Sequence, residues 1–384
     1  MEAVTSSRPY HIVIFGASGF TGKFVVEEVA RYAADSTGDN CLTWAVAGRS
    51  RQRLKFYGEP VVASCVENGA HYIDICGEPQ FLERMQLEYH TKAMERGVYV
   101  IGSCGFDSIP ADLGILYTQS HFKGTLTAVE SFLTISSGPE GSCGHDATWQ
   151  SAVHGFADSS ALCKLRRKFG HKPLPLVGTK VRPRGFVFFS KEIVQYAIPF
   201  MGSDPSVVKR TQRFLYQEER RSPIQYFAYV GVGGLCSVAK LFCGGLLFWI
   251  LVKFGMGRKL LTTFPRFFSF GLFSKAGPTI KQIEDTCFNI TFFGEGYSEG
   301  TDPLQGPPNA KICTEVMGAE PGYVATVIAM VQAAVTVLKE RHSLPRRGGV
   351  YTPGSAFNKT NLIDRLHNHG FKFSVRNYEE PAKP

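Results

Sequence analysis

Near the start of the chain a glycine turn, Gly16-Ala17-Ser18-Gly19-Phe20-Thr21-Gly22, joins a short apolar run to a helical pattern, and it narrows the fold more than any other feature. The run before it, 11–15, is apolar and β-branched, as in a strand buried in a parallel sheet. The stretch after it, 20–34, sets Phe24, Val25, Val29 and Tyr32 at helical spacing on one face. Residues 43–47 read as a second strand, so the chain opens with a predicted βαβ unit. In that context each residue of the turn has a task. Gly16 makes the tight turn. Gly19 lets a pyrophosphate approach the backbone because it has no Cβ, and Gly22 lets the helix pack closely on the strand. Amides of the first helical turn, from Phe20 onward, face the phosphates, and Ser18 and Thr21 add hydroxyl donors. A ligand-free glycine turn would carry the same letters; the position between strand and helix is what points to a dinucleotide.

The end of the second strand bears on which dinucleotide. An acidic residue there would bind the ribose 2′-OH of NAD. The chain has Arg49 instead, with Arg51 and Arg53 nearby, and a guanidinium can fork onto a 2′-phosphate. NADP is therefore favoured over NAD, although the same arginines could simply begin a solvated helix. Two more helix–strand pairs follow, 61–68 with 71–75 and 81–96 with 98–101, the helices closed by Gly69 and Gly97. This rhythm predicts a doubly wound parallel sheet. From Gly124 the pattern changes. Stretches 125–135, 185–190, 287–293 and 310–317 are rich in β-formers and predict a mostly antiparallel sheet, with a helix over 322–339.

Charge is unevenly placed. Nine of the 42 basic residues lie in 220–283, which contains no Asp or Glu; the 33 outside it match the 33 acidic residues of the chain. The net charge of +9 thus belongs to one segment, which argues against a general nucleic-acid surface and for a local anionic partner. Within that segment, 227–252 carries one charge, Lys240, and a phenylalanine-rich stretch, 260–273, follows a Gly-Met-Gly bend. Five glycines and the central lysine suit an interfacial or re-entrant hairpin better than a spanning helix. A buried helix pair or a dimer interface is the competing reading. The ten cysteines form no metal-binding spacing, so no metal is predicted, and no secretory signal precedes the first strand.

Other side chains offer chemistry without a firm assignment. Asp107 and Ser108 follow a strand end, where α/β sites form, but either suits a helix cap before Pro110 better. His145 and Asp146 are a possible acid/base pair, more often a solvated loop feature. Cys104 has no signature of a nucleophile. The catalytic residues stay unassigned.

The motifs G-A-S-G-F-T-G, A-V-A-G-R-S, Y-G-E-P-V-V, E-N-G-A-H-Y-I-D-I-C-G-E-P, G-F-D-S-I-P-A-D-L-G, G-Y-V-A-T and G-G-V-Y-T-P-G together resemble the saccharopine dehydrogenase-like oxidoreductases over nearly the whole chain. The resemblance implies an α/β fold with a Rossmann-like doubly wound parallel sheet over 1–120 and an α+β substrate and dimerisation domain over 121–345. That second domain would include the membrane-associating segment 227–273, and 346–384 would return to the N-terminal domain. It implies an NAD(P)-dependent oxidoreductase, a homodimer, and association with a lipid droplet, a cytosol-facing membrane or the mitochondrion, in lipid metabolism. It supplies no substrate. One departure stands out: after residue 55 the chain runs directly into Y-G-E-P, where the family has a helix and two more strands, so roughly fifty residues are expected to be absent. The first strand should then lack a neighbour at the switch point, and cofactor binding should be weakened, unless 71–75 shifts inward to pair with it. A catalytically silent isoform acting as a membrane-bound scaffold is the alternative.

Overall fold

The computed structural model describes residues 9–17, 19–35, 42–47, 58–157, 159–303 and 306–377. β1 (Ile12–Phe15) and β2 (Trp44–Ala47) pair in parallel, linked by α1 (Phe20–Asp35). Val25 and Val29 of α1 pack with Ile14, as their helical spacing requires. α2 (Gly58–Glu67), β3 (Tyr72–Ile73), α3 (Pro79–Arg96) and β4 (Tyr99–Ile101) follow. Gly97 closes α3 in the left-handed conformation at φ 63°, as expected for a helix-ending glycine. β4 lies between β3 and β13 (Gly349–Tyr351), in parallel with both.

The strands expected to form one doubly wound sheet therefore form two parallel groups, β1–β2 and β13–β4–β3. The inward shift of 71–75 does not occur: β3 pairs with β4 alone. The two groups sit in separate apolar clusters, one around Val62, Met85 and Val100 and the other around Ile14, Val29 and Val331, so β3 would have to leave its own core to reach β1. Among the described residues β1 has no partner on its other edge, and Val13 and Phe15 are 56% and 47% exposed.

α4 (Ile109–His121) runs through the main core and leads into β5 (Gly124–Ser136). After β6 (Gly144–His145) come α5 (Asp146–Ala157), α6 (Ser159–Lys168), β7 (Phe188–Ser190), β8 (Gln195–Pro199), α7 (Asp204–Glu219) and β9 (Gln225–Gly233). The start of the apolar segment is thus a strand. Residues 227–233 belong to β9, which lies between β5 and β8, and the expected hairpin begins only after it. An apolar strand and an apolar helix look alike in sequence, which explains the difference.

The hairpin consists of α8 (Leu235–Val252), α9 (Gly255–Thr263) and α10 (Pro265–Phe268), and it stands on α5 through Trp149, Val153, Val252 and Leu261. β10 (Phe273–Ser274) pairs with β6, and α11 (Ile280–Glu284) starts with a capping box at Thr279 and Gln282. β11 (Cys287–Ser298) and β12 (Ala310–Ala319) are the long central strands. A π-helical turn, Pro321–Ala325, opens α12 (Thr326–Lys339). β13 is followed by α13 (Pro353–Phe357), α14 (Leu362–Asn368) and β14 (Lys372–Arg376). The seven-stranded sheet has the order β14-β12-β11-β5-β9-β8-β7 and is antiparallel except for β5 with β9.

Candidate functional site

The glycine turn has the geometry its sequence requires. Gly16 sits at φ 85°, a conformation that a side chain disfavours. The Gly19 amide donates to the Gly16 carbonyl at 2.8 Å, and the Lys23 amide to that of Gly19 at 3.2 Å. A Cβ on Gly22 would stand 2.2 Å from the Gly16 oxygen, so only glycine lets α1 come this close to β1. A Cβ on Gly19 would stand 3.1 Å from the same atom. The amides of Phe20, Thr21 and Gly22 lie in the first turn of α1, where no carbonyl precedes them within the helix. Ser18 and Arg49, with Arg51, Arg53 and the 55–57 junction, lie outside the described residues.

The Phe20 side chain turns into a wall made by His145, Gly277 and Tyr323. Its ring stacks on His145 with centroids 4.5 Å apart and meets Tyr323 edge-on at 5.0 Å. Gly277 presses against it so closely that a Cβ there would lie 2.5 Å from Phe20 Cζ. The Tyr323 hydroxyl accepts from the His145 amide at 2.7 Å, and burial pushes its pKa up to about 12. The Glu320 carboxylate accepts from the Gly322 and Tyr323 amides, which fixes the π-helical turn that carries the ring. Sequence reasoning missed Tyr323 and Glu320 as parts of this wall.

His145 and Asp146 are not a solvated loop pair. His145 Nδ1 accepts from the Ala147 amide at 3.2 Å and stands 3.4 Å from an Asp146 carboxylate oxygen. The other Asp146 oxygen accepts from Gln150, so both residues serve the start of α5. The capping expectation for Asp107 and Ser108 also fails. Ser108 is the N-cap residue of α4 but makes no capping bond, because its hydroxyl is engaged with that of Ser203 at 2.9 Å.

Beyond the carboxyl end of β4 lies a set of buried carboxyl groups. Asp74 accepts from the Cys76 and Ser103 amides at 2.9 and 3.1 Å, and burial still pushes its pKa up to about 6. Asp112 accepts from Thr211 and from the Gly354 amide, both at 2.7 Å, and burial likewise raises it to about 6. Burial raises Asp107 and Asp204 as well, and the Asp107 charge adds to the rise at Asp204. Asp74 and Asp112 can hold and release protons near neutrality. Cys104 is fully buried with its thiol pushed well up, which suits packing and not nucleophilic attack. Among the described residues no three His, Cys, Asp or Glu side chains gather as a metal-ligand set.

A parallel strand ending in a glycine turn, together with a seven-stranded mixed sheet, defines a mixed α/β protein. No family model matches the chain. It is, however, 54% identical to the human saccharopine dehydrogenase-like oxidoreductase, over 97% of this chain and 98% of that one, and 53% identical to the Mus musculus counterpart over the same shares. A Caenorhabditis elegans relative named lipid droplet localized protein is 32% identical over 95% of this chain and 98% of its own length. The chain belongs to the saccharopine dehydrogenase-like oxidoreductase family. A solved Saccharomyces cerevisiae saccharopine dehydrogenase overlaps 95% of this chain and 99% of its own at 13% identity with a TM-score of 0.47, a likeness too distant to inform the site.

Proposed function

We propose that this chain is an NAD(P)-linked oxidoreductase that works docked on a lipid surface, a lipid droplet or a cytosol-facing membrane, and that it grips its nucleotide weakly. The observation that carries the enzymatic part is the glycine turn, where Cβ atoms at Gly19 and Gly22 would crowd the Gly16 carbonyl at the mouth of α1. A pyrophosphate fits that backbone. Gly16, Gly19, Phe20, Thr21 and Gly22 would hold it, with Ser18 adding a hydroxyl and Arg49 favouring NADP over NAD. The nicotinamide, when bound, supplies hydride chemistry. The protein's own part is to bind and orient: amides of α1 face the phosphates, while Phe20, His145 and Tyr323 close one side against water.

Two observations support the weakened grip. β1 pairs with β2 alone among the described residues. The human relative aligns over 421 residues with 97% of this chain, so roughly fifty aligned positions have no counterpart here, the length of a missing helix and strands. Titration with NADPH, followed by nicotinamide fluorescence, tests this: a Kd above about 100 µM is expected, and micromolar affinity would contradict it. The exposed β1 edge also favours a second reading, a catalytically silent scaffold or homodimer. Under that reading the titration gives no saturation at any NADPH concentration.

The docking part is supported by the hairpin. α8 is long and apolar enough to cross a membrane, with mean hydropathy 2.1, yet only 6% of it is buried. Phe242, Trp249 and Phe267 are 66%, 56% and 74% exposed. Lys253 sits over the Trp249 ring at 3.1 Å, a pairing suited to the headgroup boundary. The substrate is then a molecule carried in or on that lipid.

A further inference from the structure

A cleft of about 1650 Å³ runs between α3, α7 and the segment before β13, and none of its lining residues belongs to the glycine turn. Its walls carry an excess of cations, seven Lys and Arg side chains against Glu83, Glu218 and Glu219. Arg166 is neutralised by a two-pronged contact with Glu83, and Lys359 by Glu219. Lys209, Arg210, Arg213, Arg346 and Arg347 line the same space, and among the described residues none of them makes an ion pair.

Arg210 is the deepest of these cations. Its Nε donates to Gln86 Oε1 at 2.7 Å. Burial lowers its pKa to about 10, the charges of Glu83 and Asp112 oppose that fall, and it stays protonated at neutral pH. No carboxylate makes an ion pair with this half-buried guanidinium, and Glu83 and Asp112 act on it only as neighbouring charges, so it has donors left for an anion. Burial, and after it the Arg213 charge, depress His171, while the Glu83 charge opposes the fall. Phe214, Phe227 and Leu174 supply apolar lining beside the cations. The volume exceeds that of an ordinary small-molecule site, so there is room for an organic body as well as its charge.

We infer that this cleft binds a soluble phosphate-bearing small molecule, its anionic group on Arg210 and its organic body against Phe214 and Phe227. The location excludes a lipid headgroup as the source. The cleft takes in the start of β9, at Gln225 and Tyr226, whereas the hairpin leaves the other end, after Gly233. The length of that strand separates them by roughly 26 Å, too far for a headgroup in the surface on which α8 would lie.

The test is calorimetric titration of the full chain with inorganic pyrophosphate. Saturable binding is expected, weakened about tenfold or more in Arg210→Gln, since a charge-assisted contact is lost. Lys123→Gln, an exposed cation outside the cleft, should leave it unchanged. If Arg210→Gln does not fold, the variant Arg346→Gln/Arg347→Gln should still weaken binding about threefold, because both are exposed cations that line the cleft. No binding, or binding that keeps its full strength in the arginine variants, overturns the inference. So does release of the protein from phosphatidic acid vesicles by pyrophosphate, which would make the cleft a headgroup site. A fall in molar mass on adding pyrophosphate, which would make it a contact between two copies of the chain, overturns it as well.

Discussion

Two helices of this molecule are equally fit, by composition, to cross a membrane, and they have opposite surroundings. Leu235–Val252 has mean hydropathy 2.1 and is 6% buried; Pro321–Lys339 has 1.7 and is 67% buried. The second is lined with small and β-branched residues, Ala329, Val331, Ala333 and Val335, which let α1 on one side and the main core on the other approach closely. The first turns Phe242, Leu246, Trp249 and Ile250 outward and offers a close approach at Gly244, where the Phe270 ring fills the space a Cβ would need. Side-chain size and placement, more than hydrophobicity, separate a core helix from a surface one. The two parallel strand groups repeat the contrast: all three residues of β4 and of β13 are buried, while β1 and β2 expose Val13, Phe15 and Val46.

The comparison breaks most sharply under a buried charge. Val331→Asp should unfold the protein or cost about 4 kcal/mol or more in chemical denaturation, whereas Phe242→Asp should shift stability by less than about 0.5 kcal/mol. Equal losses would mean that α8 is covered. Between the strand groups a smaller difference is expected: Val350→Thr should cost about 1–2 kcal/mol and Val13→Thr close to nothing, read from the same denaturation curves.

Titration sharpens the contrast from the buried side. Asp74 and Asp112 have pKa values near 6 in the fold, above the unfolded value of about 3.9. The folded state therefore keeps protons that the unfolded chain releases. The stability contributed by these two groups should be greatest below about pH 4, fall as pH rises through that window, and level off above about pH 6, while Glu192, held low at about 2 by Arg184 against the effect of burial, acts the other way as pH falls. Asp74→Asn should flatten part of this slope; a slope that rises over the same window would contradict the burial assigned to these groups. The smallest effect is expected at the hairpin. Neutralising Lys259 and Arg266, both charged and near the exposed aromatic face, should weaken binding to anionic vesicles by about 1 kcal/mol per charge and leave binding to neutral ones almost unchanged.

Periodic features of the fold were readable from the sequence, and contacts between distant segments were not. α3, with its closing Gly97, and α12, with its regular apolar face, follow from local spacing. The split between β9 and α8 was hidden because an apolar strand and an apolar helix share one alphabet. At the site, the roles of Gly16 and Gly22 were legible because backbone geometry dictates them. The wall of Phe20, His145 and Tyr323 was not, since it joins three segments far apart in the chain. The expected cap at Ser108 failed for the same kind of reason: Ser203, from the start of α7, takes its hydroxyl.

Docking of the hairpin on lipid is most directly tested by flotation with liposomes and lipid droplets, comparing the native chain with Phe242→Ser/Trp249→Ser/Phe267→Ser. All three side chains are exposed, so the variant should keep its native thermal transition. The native chain should float and the variant should remain in the soluble fraction, because each aromatic removed from the interface forfeits about 2 kcal/mol. A variant that folds normally and still floats would contradict the account.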